Sequence, residues 1–167
     1  MDVNAVNYNA EAKKDDASCT YYTSAIIKSV TITYPEMDGS YSWDSDLTID
    51  SLPDLVMHAS IYDWDTSVDD TIYVSDTINN GSSPYTFNTN ITVSADNLSE
   101  SIDFELNDYD ADWGWNNYMG SSYIYLDEYT PFSTMLFSSY TGESYPTSIS
   151  KTSFAGIEFT YTIEWKE

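Results

Sequence analysis

One cysteine, Cys19, and one histidine, His58, occur in the 167 residues. A single thiol permits no internal disulfide and no multi-thiolate metal site, and a Ser-His-Asp triad or a histidine-rich zinc site would have to be built around His58 alone. Basic residues are equally scarce: five Lys plus Arg stand against 28 Asp plus Glu, a formal net charge of -23, and none of the five lies between residues 29 and 150. Neutralising phosphate needs clustered cations, which excludes nucleic acid as a partner and disfavours direct attraction to an anionic membrane surface. Long apolar runs are missing too. No stretch approaches the roughly 18 residues of a membrane-spanning helix, and the N-terminus has no basic-then-apolar signal-peptide pattern.

Hydrophobic residues make up 41% of the chain and aromatics 16%, with 16 tyrosines, which separates it from acidic disordered chains poor in aromatics. The length supports one domain with a substantial core. Dense negative charge on a compact body repels itself, and bound cations relieve that repulsion.

Residues 1–23 are polar, rich in Asn, Asp and Lys, and read as a small appended segment before a domain over 24–167. From Ala25 onward the pattern is β. Ile26, Val30, Ile32 and Tyr34 alternate with Thr and Ser, and Leu55, Met57, Ala59 and Ile61 alternate with Val56, His58, Ser60 and Tyr62. The same period of two returns in Ile72/Val74, Ile91/Val93, Ile102/Phe104/Leu106 and Ile157/Phe159/Tyr161/Ile163/Trp165. Turn clusters such as Asn79-Asn80-Gly81-Ser82-Ser83-Pro84 separate the runs. About eight short strands with no helical period predict an all-β fold, an antiparallel sandwich or barrel. The Ser/Thr/Tyr-rich stretch 130–150 fits either a strand pair or a long packed loop.

Acidic residues concentrate at strand ends. If 102, 104 and 106 point inward, Asp108 and Asp110 continue on that side as strand gives way to loop. Two carboxylates so placed each disfavour the other's ionised form unless a cation lies between them. No lysine or arginine is nearby in sequence, and calcium, which takes six to eight oxygens in flexible geometry, is the natural occupant. A second acidic segment, Trp43-Asp44-Ser45-Asp46-Leu47-Thr48-Ile49-Asp50-Ser51-Leu52-Pro53-Asp54, precedes the strand beginning at Leu55. An EF-hand is rejected: Asp108, Asp110 and Asp112 have its opening rhythm, but Trp113 stands where its glycine belongs and Met119 where its glutamate belongs. Asp63-Trp64-Asp65 with Asp69 and Asp70 reads as an acidic hairpin rather than a metal site.

Pro53-Asp54-Leu55-Val56, Asp108-Tyr109-Asp110 and Tyr118-Met119-Gly120 together resemble the C2 domain over roughly residues 25–165. That resemblance implies an eight-stranded antiparallel β-sandwich, C2-like, binding calcium between two loops. The ligands it implies are Asp54, Asp108 and Asp110, with Asp112 compensating where Asn116 or Asn117 replaces the family's last loop aspartate; Asn117 matches when counted back from the glycine. The upstream ligand is Asp44, Asp46 or Asp50. Asp44 is favoured because Trp43-Asp44 resembles the start of that loop in bacterial C2-like sequences. With an asparagine in the set, fewer or weaker calcium ions are expected than in a fully acidic site.

Asn7-Tyr8-Asn9-Ala10-Glu11-Ala12-Lys13-Lys14-Asp15-Asp16-Ala17-Ser18-Cys19 resembles a short repeat of secreted and surface proteins of Bacteroidota, in which a second cysteine stands just before the position of Met1. The resemblance implies a natural chain that continues upstream to a partner for Cys19, in an exported, extracellular or cell-surface protein where disulfides persist. The bland alternative is a lone cysteine in a polar tail.

Together these readings predict a non-catalytic, monomeric calcium-binding module that engages a phospholipid or a surface protein, or is stabilised by calcium. The alternative is a carbohydrate-binding module with structural calcium. A glycosidase would need one carboxyl held protonated beside a sugar cleft, and nothing in the sequence marks such a pair. The Asn-x-Ser/Thr sequons at Asn80, Asn90 and Asn97 read as accidental in a bacterial protein.

Overall fold

A computed structural model describes residues 5–11, 13–14, 17–35, 37–38, 41–42, 52–63, 68–94, 97–98, 100–110, 115–130 and 144–167, with 37, 38, 41, 42, 63, 68, 110 and 115–117 described by backbone alone. The strands are β1 (Ser24–Thr33), β2 (Met37–Asp38), β3 (Tyr41–Ser42), β4 (Leu55–Asp63), β5 (Val68–Val74), β6 (Tyr85–Val93), β7 (Ser101–Asp110), β8 (Trp115–Ile124), β9 (Ser148–Thr152) and β10 (Glu158–Lys166). A 3-10 turn occupies Leu126–Tyr129. Eight of these strands form two four-stranded antiparallel sheets, ordered β6-β1-β10-β9 and β5-β4-β7-β8, while β2 and β3 pair separately. This is the expected all-β, eight-stranded antiparallel sandwich.

The alternation read from sequence is the alternation that packs. Ile102, Phe104 and Leu106 from one sheet face Phe159, Tyr161 and Ile163 from the other in a single core. The rings of Phe104 and Tyr161 lie 5.0 Å apart at 53°. Along β6, every second residue from Phe87 to Val93 is buried. Two irregularities shift the phase elsewhere. In β1 the register slips between Ile27 and Ser29 against both neighbours, so Ala25 and Ile27 are buried before the slip and Val30 and Ile32 after it. Ile26, expected inward, therefore lies on the other face. In β5 a shift opposite Ala59/Ser60 places Tyr73 against Ala59 and leaves Val74 exposed opposite His58. Of the ambiguous stretch 130–150, the described part ends in β9; residues 131–143 lie outside the described residues.

Ahead of the sandwich, Val6 N–H donates to Thr20 O and Thr20 N–H donates to Asn7 Oδ1, folding the N-terminal segment back on itself. Thr23 N–H donates to Lys166 O and carries it into β1. Cys19 is half-buried with a free thiol.

Asp103, half-buried on β7, has its carboxyl pushed above its ordinary value of 3.8, chiefly by burial, while the Ser101 hydroxyl pulls it down and Asp69 adds a smaller push upward. A raised folded-state pKa favours the protonated acid, so this contribution to stability is present below the unfolded pKa and is lost as pH rises through the folded one. Asp103→Asn is therefore expected to raise the melting temperature at pH 7, with the gain vanishing below about pH 4. Thermal melts of both proteins at pH 3.5 and pH 7 check this. A loss at pH 7 would show that the Ser101 hydrogen bond outweighs desolvation.

Candidate functional site

Because β4 and β7 run antiparallel with Leu55 opposite Asp108, the start of one strand adjoins the end of the other. The two acidic segments, more than 50 residues apart in sequence, thus meet at one end of the sandwich. The junction is clasped in both directions. Asp54 N–H donates to Asp108 Oδ1 at 2.8 Å, and Tyr109 N–H donates to Asp54 O at 2.7 Å. On its other side the same segment is held by the 78–81 turn: Asn80 N–H donates to Asp54 Oδ1 at 2.8 Å, Gly81 N–H donates to Pro53 O at 2.8 Å, and Leu55 and Ile78 exchange N–H···O bonds of 2.9 Å. Asn80 sits at φ 50, the left-handed region that asparagine tolerates better than most residues.

Asp108 is 1% exposed. Its charge reaches Tyr34, whose phenol is pushed up to about 12, first by burial and then by Asp108. That phenol stays protonated and donates to Gly81 O, while Tyr34 N–H donates to Ser83 Oγ at 2.9 Å. Ion pairs among the described residues join Lys28 and Lys166 to Glu164 and Lys151 to Glu128. An ionised carboxylate taken so far from water is costly unless hydrogen bonds and positive charge compensate it.

The remaining predicted ligands fall at the same end or beyond the described residues. The backbone of Asp110 closes β7 opposite Trp115, and that of Asn117 lies directly opposite Asp108, with Asn116 opposite Tyr109. Their side chains, and all of Asp44, Asp46, Asp50 and Asp112, lie outside the described residues. Among the described residues, Asp54 and Asp108 come together, and no three His, Cys, Asp or Glu side chains converge. The acidic hairpin joins β4 to β5 as expected, with Asp69 and Asp70 exposed opposite Tyr62 and Ile61.

No protein-family model and no curated protein matches the chain. The structure is similar to a solved one described as that of a C2 domain, with a TM-score of 0.49 and 6% sequence identity over 86% of this chain and 97% of that chain. The likeness concerns the fold alone.

Sequence reasoning located Asp54 and Asp108 but missed what braces them. Asn79-Asn80-Gly81 was visible as a turn; that its backbone would grip Pro53 and Asp54, and that Tyr34 would seal it, depends on contacts between distant segments. Gly81 is essential to that grip. A Cβ there would lie 2.5 Å from Leu55 Cδ1 and 2.7 Å from Leu55 Cγ, at the first core residue of β4. Gly81→Ala is expected to cost about 1–3 kcal/mol, the usual range for overpacking, and urea denaturation measures it. A neutral result would mean that the turn can move without loss.

Proposed function

We propose that the chain is a non-catalytic calcium-binding β-sandwich module of an exported or cell-surface protein. The observation that carries this reading is Asp108, a carboxylate 1% exposed at the meeting point of two acidic segments, in a chain with no lysine or arginine from residue 29 to residue 150. A divalent cation there would add positive charge beside that carboxylate. The donors fit a hard ion: Asp54 and Asp108 are brought together, and a carboxylate has about four lone-pair sites, so each can face a cation while keeping the backbone N–H it accepts. In this reading Asp44, Asp110, Asp112 and Asn117 complete the set from the adjoining loops and strand ends.

Calcium there would neutralise the loop ends and lock two chain segments to one another. It would also offer open coordination positions to an anionic partner, a phospholipid head group or an acidic protein surface, which the chain would otherwise repel with its charge of -23. Calorimetric titration of chelator-treated protein tests the reading. A saturable heat at or below millimolar calcium, absent on titration into Asp108→Asn, is expected; no heat at millimolar calcium rejects it.

A further inference from the structure

Away from the Asp54–Asp108 end, the outer face of the β5-β4-β7-β8 sheet is organised in cross-strand rows. Register places Thr71, Ser60, Asp103 and Tyr123 side by side across four strands, and His58, Glu105 and Ser121 in the next row. Four strands at about 4.8 Å spacing make a strip about 14 Å across. A cavity of about 390 Å³ lies over these rows. It shares Ser121 and Tyr123 with a larger cavity of about 670 Å³ that opens between β8 and β9, the edge strands of the two sheets. The two adjoin at Ser121 and Tyr123.

Three of the large hydrophobic side chains exposed on the molecule line this cleft: Tyr118 at 61%, Tyr123 at 62%, and Phe154, fully exposed at the tip of the β9–β10 hairpin. The two tyrosines are held in place. The Tyr118 hydroxyl shares a 2.8 Å hydrogen bond with Ser121 Oγ, and Tyr123 packs edge-to-face against Tyr125 at 5.9 Å. Gly120 lets the hairpin in close, since a Cβ there would lie 3.1 Å from both Ile157 Cδ1 and Ser153 Oγ. On the sheet face beside Tyr123 lie hydroxyls and oriented carboxylates: Ser101 Oγ donates to Asp103 Oδ1 at 2.9 Å, and Asn107 Nδ2 donates to Glu105 Oε1 at 2.8 Å. Lys151, the one lysine of the larger cavity, is engaged with Glu128 at 3.5 Å.

We infer that this cleft binds a neutral polysaccharide chain. The charge selects the partner: a lining with Asp69, Asp103 and Glu105, on a protein of net charge -23, repels phosphate, sulfate and uronate groups. A neutral sugar is complementary to what remains. Its polarised C–H face stacks on the electron-rich face of a tyrosine or phenylalanine, and its hydroxyls donate to carboxylates, which are the strongest acceptors available. Rings already fixed by Ser121 and Tyr125 lose little freedom on binding, and two adjoining cavities that share Tyr123 suit a chain better than a single sugar.

Affinity electrophoresis of the full chain tests this, with hydroxyethylcellulose, xyloglucan, galactomannan, xylan or starch in the gel and polygalacturonate and heparin as anionic controls. With chelator in the gel, so that calcium cannot bridge to an anionic polymer, retardation by at least one neutral polymer and by neither anionic one is expected. Tyr123→Ala and Phe154→Ala should each weaken binding of an oligosaccharide cut from that polymer about tenfold or more, as loss of an aromatic anchor does, with unchanged melting temperature and calcium response. Retardation should persist in chelator, because Tyr123, Phe154, Asp103 and Glu105 are not among the proposed calcium ligands, so failure of the calcium reading and failure of this one are distinguishable. Retardation by no neutral polymer, equal retardation by the anionic ones, or wild-type affinity in both variants overturns the assignment.

Discussion

Calcium added to the chelator-treated protein is expected to raise its melting temperature by about 5–10 °C at a free concentration a hundred times the dissociation constant. A ligand that binds only the folded state stabilises it by about 2.7 kcal/mol at that ratio, and a chain of this size shifts about 2–4 °C per kcal/mol. Asp108→Asn makes the result diagnostic. Asparagine keeps an oxygen acceptor for the Asp54 N–H and removes the charge. If the carboxylate is there to hold a cation, the variant should lose the calcium shift and melt, without metal, at or above the temperature of metal-free wild type, since the cost of a buried charge is gone. A carboxylate retained for structure alone predicts a lower metal-free melting temperature and no calcium response in either protein. Differential scanning fluorimetry with and without calcium separates the two.

Phe104→Ala should cost about 3–5 kcal/mol, the range for an aromatic removed from a packed core, or about 6–20 °C in melting temperature. Phe104 is fully buried in the middle of β7, and its ring meets Tyr161 of β10 at 5.0 Å, so it joins the two sheets. Truncation leaves a cavity that neither sheet can close without moving the other. The calcium increment should survive, because the substitution lies away from the strand ends that carry Asp54 and Asp108. Calorimetric melts with and without calcium test both halves. A cost under 1 kcal/mol would mean that the sheets do not depend on this contact, and a lost increment would mean that core and strand ends are coupled.

Most of the fold was legible because period-two burial is a local property. The run from Ile157 to Trp165 announces both its strand and its inward face in nine residues, and β10 buries Phe159, Tyr161, Ile163 and Trp165 accordingly. Ile26 and Val74 read wrongly because a one-residue slip in the ladder exchanges the faces of a strand, and nothing local marks it. The placement of Asp108 in the candidate site was legible for the same reason: it continues the inward phase of Ile102, Phe104 and Leu106, and it is buried as that phase requires.

Composition and periodicity by themselves determined the fold class, the inward faces of most strands and the absence of lysine and arginine from the 29–150 stretch that holds the central aspartates. Only the tertiary structure decided that Asp54 and Asp108 are neighbours, that the 78–81 turn and Tyr34 brace them, and that Tyr118, Tyr123 and Phe154 share a cleft. The reason is physical. A side chain's face follows from its two sequence neighbours, whereas which strand ends meet follows from the pairing of β4 with β7 and from the packing of one sheet on the other, which sets edge strands β8 and β9 beside each other, settled by burial of the whole core at once.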